Sequence, residues 1–165
     1  MNHIITHVGE INDNFVNSIQ QIILSFPEKP ESLTLNISSS GGSVISGITA
    51  YNFLKTLPYP VRCHNLGEVS SAAILPYLAG SIRTAEIISK FMLHPVEISF
   101  QGSLAFFKVE ETLSIISQDI DNYAAIVKRE VPQFAEDYDI VDLLKHKSLV
   151  MSPSDAHSVG IVTDI

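Results

Sequence analysis

Ser71 is the first residue whose type and position could support chemistry. It lies within Gly-Glu-Val-Ser-Ser-Ala-Ala at residues 67–73, between an apolar strand-like run and a helix-like run. A hydroxyl on a sharp strand-to-helix turn is exposed at the carboxyl edge of a sheet, where ligands bind, and the free N–H groups of the first helical turn lie beside it. Ser71 is therefore a candidate nucleophile, although a serine at a helix start is also a common N-cap.

A second candidate segment is Ser-Ser-Ser-Gly-Gly at residues 38–42, at the end of another predicted strand. Paired glycines allow the backbone to turn sharply and leave N–H donors free to hold a phosphate or a developing oxyanion. The phosphate-binding Gly-Lys-Ser/Thr sequence does not follow, so this is not a Walker A loop. A plain strand-to-helix turn is the alternative interpretation.

The third candidate is His94, which closes the apolar run Met-Leu-His-Pro at residues 92–95. An imidazole there could act as a general base, or it could be a packed residue at the rim of the core. Among the other histidines only His3 and His7 form a suggestive pair, and on a predicted strand they are too far apart to share a metal ion. We predict neither a metal site nor a cofactor.

The elements that must position these residues alternate between strand and helix along one domain, residues 1–165. Short connections and alternating elements predict right-handed βαβ units and a largely parallel sheet. The residue patterns predict strands at 4–8, 33–37, 61–66, 87–94 and 161–165. They predict helices at 13–26, 44–57, 70–79, 104–131 and 133–147, and a last short helix that starts near Ser152 and ends at Gly160.

The charge, hydropathy and cysteine content of the chain argue against several classes of function. The formal net charge is −8 with no basic run, which argues against nucleic-acid binding. No apolar stretch approaches the length of a membrane span, and the N-terminus lacks the pattern of a signal peptide. The single cysteine, Cys63, cannot form an internal disulfide and is expected to be buried. These features predict a cytoplasmic protein without a membrane partner.

Taken together, the motifs resemble those of the caseinolytic protease (ClpP) family. The run at 38–42 is similar to the family's Asn-Ser-Pro-Gly-Gly segment, and its spacing to Ser71 is that of the family. Residues 67–71, followed by Leu-Ala-Gly at 78–80, look like the nucleophile segment, and residues 92–94 resemble the histidine motif. Phe-Gln-Gly at 100–102 precedes a long "handle" helix, and residues 151–162 resemble the C-terminal element. The resemblance covers nearly the whole chain.

The resemblance implies an α/β fold of the ClpP/crotonase type, with repeated βαβ units and a projecting handle helix at about 104–131. It implies a serine endopeptidase acting on peptides or unfolded chains inside a homo-oligomeric ring, a heptamer or tetradecamer. Ser71 would be the nucleophile and His94 the base, and the N–H groups of Gly42 and Ala72 would form the oxyanion hole. The apolar surface of the handle helix, too large for a monomer to bury, also predicts assembly.

The third catalytic member departs from the family. The family aspartate lies four residues before the serine that matches Ser152, and here that position is Ser148. Asp139 and Asp142 lie upstream and would reach His94 only in a shifted alignment. Three outcomes are open: a slow Ser-His dyad, a carboxylate supplied from elsewhere, or a degenerate subunit.

Two alternatives to an active peptidase follow. One is a catalytically impaired ClpP-like scaffold or regulatory subunit. The other is a crotonase-type acyl-CoA enzyme, which shares the βαβ core and the backbone oxyanion hole. The family's N-terminal axial region, which contacts the ATPase ring, is largely missing from this sequence, so we do not expect dependence on an ATPase partner.

Overall fold

The computed structural model describes residues 1–99 and 101–164. Strands and helices alternate through most of the chain, as the sequence pattern predicts. The strands are β1 Asn2–Val8, β2 Ser32–Ser39, β3 Val61–Ser70, β4 Ile82–Ala85, β5 Lys90–Leu93 and β6 Leu149–Met151. The helices are α1 Asp13–Leu24, α2 Val44–Lys55, α3 Ile74–Leu78, α4 Phe106–Glu130, α5 Pro132–Asp137, α6 Ile140–His146 and α7 Pro153–Ser158.

The sheet has the order β1-β2-β3-β5-β6, and β4 also pairs with β3. All pairs are parallel except that of β5 with β6, which is antiparallel. The long strand β3 pairs with β4 along its first half and with β5 along its second half. Because β2, β3 and β5 run parallel, their carboxyl ends meet at one edge, and that edge holds the glycine turn, Ser71 and His94.

The core is built from alternating strand residues and one helix face. Along β2, Leu33, Leu35 and Ile37 are buried while the residues between them are partly exposed, which is the period of a strand with one packed face. Helix α1 buries its apolar residues at helical spacing, and its N-terminus is capped by the Asn12 side chain, which accepts the N–H of Phe15 at 3.1 Å. Cys63 is buried and unpaired, as predicted.

Several predicted boundaries are wrong. Strand β3 continues through Gly67 to Ser70 because the chain bulges there, and the Asn65 side chain accepts the Gly67 N–H at 2.9 Å. The predicted helix at 70–79 begins as a single 3₁₀ turn, Ser71–Ala73, before α3. The predicted helix at 133–147 is two helices, α5 and α6. Strands β4 and β6 were not predicted, because runs of three or four residues are too short to show a period.

The predicted C-terminal strand at 161–165 is also wrong over its described part, residues 161–164. Ile165, and Phe100 of the motif before the handle helix, lie outside the described residues. The segment attaches through Arg83: its carbonyl accepts the N–H of Thr163 at 2.8 Å and of Asp164 at 3.2 Å. The Arg83 guanidinium, whose pKa is lowered by burial, donates to the carbonyls of Ile161, Gly160 and Gly80 at 2.7–3.0 Å.

Replacing Arg83 by methionine should therefore lower the free energy of unfolding by about 3 kcal/mol, because three carbonyls would lose their buried donor. Arg83 is only 6% exposed, so water cannot readily replace the guanidinium. Chemical denaturation of the two proteins measures the difference. Arg62→Met, on an exposed side chain of the neighbouring strand, is the matched control and should change the unfolding free energy by less than about 0.5 kcal/mol.

Candidate active site

Ser71 occupies a strained turn at the end of β3. Its φ is +52°, and it is the one non-glycine residue with positive φ among the described residues. A left-handed conformation costs a residue with a Cβ roughly 1–2 kcal/mol, so it persists only where the surrounding structure enforces it. Such strain is concentrated at functional sites, and here it turns Ser71 out of the strand direction into a partly exposed position.

The glycine turn packs directly against Ser71. Gly41 and Gly42 have φ of +109° and +142°. A Cβ added to Gly41 would lie 2.6 Å from the Ser71 Cβ and 2.9 Å from the Ser70 carbonyl oxygen. The buried Ser39 hydroxyl accepts the Gly41 N–H at 3.1 Å and fixes the turn. The two segments therefore fit only because the turn lacks side chains.

Two backbone N–H groups lie in the two turns that pack together at Ser71, one in each turn. Ala72 lies in the first turn of the 3₁₀ helix, where N–H groups have no partner within the helix. A Cβ added to Gly41 would lie 3.2 Å from the Ala72 nitrogen, so the glycine turn and the 3₁₀ turn are in contact here. Gly42 lies outside the helices and strands. Its N–H donates to no backbone carbonyl of the described residues. A pair of such donors can stabilise an oxyanion.

His94 follows the last residue of β5 and lies at the same edge of the sheet. Its Nδ1 is 2.7 Å from the Pro95 carbonyl oxygen. A carbonyl oxygen only accepts, so Nδ1 carries the proton in this contact, and the neutral ring then has its lone pair on Nε2. A lone pair on Nε2 is what a general base needs.

Ser71 and His94 line one cavity of about 500 Å³. No hydrogen bond joins these two side chains in the part of the chain that the structure describes. The walls come from the start of α2, from the segment after His94 and from α4, which contributes Ile116 and Asp119. The cavity thus brings together three of the predicted site residues, Ser71, His94 and Gly42, whereas the fourth, Ala72, is buried and does not line it.

The three candidates for the third catalytic position, Ser148, Asp139 and Asp142, all line a second cavity of about 360 Å³. The antiparallel register of β5 and β6 pairs Leu93 with Leu149, so its extension by one residue sets Ser148 against His94. Asp139 accepts the N–H of Asp142 at 3.1 Å as the N-cap of α6. The Asp142 carboxylate contacts the side chains of Lys147 and His146 at 2.5 and 2.9 Å, and these two partners lower its pKa. None of these three residues lines the cavity that holds Ser71 and His94.

Two residues of the site were missed by sequence reasoning. The hydroxyl of the buried Tyr123 donates to the Ser71 carbonyl at 2.7 Å and ties α4 to the strained turn. Asp119 precedes Tyr123 by one helical turn and faces the cavity. The spacing of four residues signals a shared face, but it does not say which surface that face covers. Within the described residues, no group of three or more potential metal ligands is found.

The fold and the candidate site define an α/β protein with a mixed sheet, in which a strained serine turn and a histidine lie at the same edge of the sheet. Comparison with known proteins is more specific. The family model "Clp protease" matches residues 1–165. The chain therefore belongs to the Clp protease family, and not to the crotonase-type acyl-CoA enzymes that the sequence had left as an alternative.

Individual relatives agree with this assignment. An ATP-dependent Clp protease proteolytic subunit of Pleurastrum terricola is 29% identical over 160 residues, which cover 93% of this chain and 78% of the relative. A protein with the same description from Bigelowiella natans is 29% identical over 159 residues, covering 81% and 79%. The structure of a point mutant of ClpP1 from Listeria monocytogenes has the same fold, with a TM-score of 0.82 at 22% identity, and the match covers 97% of this chain and 88% of that one.

No helix among the described ranges 1–99 and 101–164 is both long and apolar enough to cross a membrane.

Proposed function

We propose that this protein is a serine peptidase that hydrolyses peptides or unfolded chains through Ser71 and His94. The observation that carries the proposal is the shared cavity: a serine held at positive φ lines it together with a histidine whose Nδ1 contact leaves Nε2 free. A plain strand-to-helix turn would require neither a serine at positive φ nor a histidine in the same cavity.

In this mechanism the Ser71 Oγ attacks the carbonyl carbon of the scissile bond, and His94 Nε2 takes its proton. The carbonyl oxygen becomes an oxyanion and is held by the N–H groups of Gly42 and Ala72. His94 then gives its proton to the leaving amine as the C–N bond breaks, which leaves an acyl ester on Ser71. A water molecule, deprotonated by the same imidazole, hydrolyses the ester and restores the hydroxyl.

The Pro95 carbonyl performs part of the work of a catalytic aspartate. It accepts the Nδ1 proton and so sets the tautomer and the orientation of the ring. It carries no full negative charge, however, and stabilises the imidazolium ion less than a carboxylate would. We therefore propose a slow Ser-His dyad, which cleaves the scissile bond without a charged third member.

Assembly into a ring is part of the proposal and is supported by the surface of α4. The fully buried residues of this helix all lie in its second half: Ile120, Tyr123, Ala124, Ile126 and Val127. In the first half, Phe106 and Phe107 are 77% and 63% exposed, and Leu113 and Ile115 are also exposed. An apolar face of this extent favours contact with neighbouring copies.

Labelling with a fluorophosphonate probe tests the proposal. The assembled protein should be phosphonylated at Ser71, as located by peptide mass spectrometry, and Ser71→Ala should abolish the label. His94→Ala should slow labelling by at least about 100-fold, since the general base is lost. Ser154→Ala, which removes an exposed hydroxyl on α7 outside the cavity, is the matched control and should label at the wild-type rate.

A second candidate is a catalytically impaired subunit of the same family, which is favoured by Ser148 at the position of the family aspartate. It predicts no label on Ser71 in the assembled protein at any probe concentration. That result would refute the peptidase proposal.

A further inference from the structure

Asp119 is a carboxylate without a partner on the wall of the candidate active site. It is partly buried and lines the cavity with Ser71 and His94. Within the described part of the chain it forms neither a salt bridge nor a hydrogen bond. Its burial raises its pKa, because a carboxylate loses water contacts there without gaining a cation. A positive charge entering the cavity would compensate that loss.

The other cavity walls reinforce the same preference. Besides His94 and Asp119, the one ionisable residue that lines the cavity among the described residues is Glu97, an exposed carboxylate of the same sign as Asp119. Neither lysine nor arginine is among these lining residues, so no cationic side chain of the cavity wall offsets the negative charge of the two carboxylates. The formal net charge of the whole chain, −8, has the same sign.

The apolar lining fits the stem of a basic side chain. Val96 and Ile98 follow His94, and Ile116 lies one helical turn before Asp119, so aliphatic surface lies on the same walls as the carboxylate. Lysine and arginine have a three- or four-carbon stem that packs on apolar surface while the charged head reaches a polar group. A shorter or acidic side chain would leave Asp119 unpaired.

We propose that Asp119 selects substrates with lysine or arginine at the residue that supplies the acyl carbonyl, by pairing with its cationic head inside the cavity. This specificity rests on the proposed peptidase function and adds a substrate class to it. Asp119 acts on the substrate side chain and takes no part in the proton transfer between Ser71 and His94.

Peptidyl diphenyl phosphonates test the proposal, because they phosphonylate the nucleophile with a chosen acyl-side residue in place. Two probes that differ only in lysine or leucine at that residue are compared by their second-order rate constants on the assembled protein. The lysine probe should react at least about 10-fold faster, the ratio expected for one partly buried ion pair. Asp119→Asn should bring the ratio close to 1.

Asp121→Asn is the matched control, since Asp121 is an exposed aspartate on another face of the same helix, and it should keep the wild-type ratio. A fluorophosphonate without a peptide side chain reports separately on Ser71 itself. If that probe labels Ser71 while the lysine probe is no faster, or while Asp119→Asn keeps the preference, the specificity proposal is overturned and the peptidase stands.

Two further results would also overturn it. If Asp119→Asn slows the side-chain-free probe as much as the lysine probe, the carboxylate acts on His94 instead of on the substrate. If the side-chain-free probe does not label Ser71 in wild type, the peptidase proposal itself fails and the specificity falls with it.

Discussion

Replacing Ser148 by aspartate should raise the rate of peptide hydrolysis by roughly 10- to 1,000-fold. The β5–β6 register, extended by one residue, sets position 148 against His94. A carboxylate there would compete with the Pro95 carbonyl for the Nδ1 proton and would add a full negative charge beside the imidazolium ion. In Ser-His-Asp triads, removing this carboxylate costs about 10⁴ in turnover, so partial recovery of that factor is the expected gain.

Steady-state kcat on a fluorogenic peptide measures the effect, and Ser148→Asn provides the matched control. Asparagine has nearly the size of aspartate but no charge, so it should gain less than about threefold. Ser148 is exposed, and neither change should disturb the core. Equal rates for the aspartate and asparagine variants would contradict the placement of position 148 beside His94.

Replacing Gly41 by alanine should lower the rate of fluorophosphonate labelling by more than about 100-fold. The new Cβ would lie 2.6 Å from the Ser71 Cβ and 2.9 Å from the Ser70 carbonyl oxygen, both too close for van der Waals contact. The backbone at position 41 also has φ of +109°, which alanine rarely adopts. Either the nucleophile or the oxyanion turn must move, and a displacement of about 1 Å is enough to cost two orders of magnitude.

Gly67→Ala is the matched control for this change. Gly67 lies in the bulge of β3, and an added Cβ would meet only the Ser38 Oγ, at 3.4 Å. Its labelling rate should remain within about threefold of wild type. Circular dichroism and thermal unfolding of both variants separate loss of the site from loss of the fold. If the folded Gly41→Ala protein labels as fast as wild type, the turn does not touch the nucleophile as described.

The sequence alone predicted the parts of the site that depend on local pattern. The alternation in β2 and the small residues that follow it predict a strand and a turn, and the apolar run before His94 predicts a strand that ends there. These patterns assign Ser71, His94 and the glycine turn each to the end of a predicted strand, where ligands bind in parallel sheets, and the resemblance to a family implied that they form one site. The resemblance of the motifs to one family supplied their roles, and the family assignment is confirmed.

Only the tertiary structure decided which chain segments pack on each of these side chains. The period of α4 assigns Tyr123 to an apolar face, but it cannot say that its hydroxyl reaches the Ser71 carbonyl, or that Asp119 lines the same cavity. The Pro95 carbonyl is a backbone group and has no signal in the sequence. Strand β6, three residues long, pairs Leu149 with Leu93 through hydrogen bonds that form only when distant segments meet, and extending this register by one residue sets Ser148 against His94. Local periodicity records which face of an element is buried, whereas the partner of that face depends on how the whole chain packs.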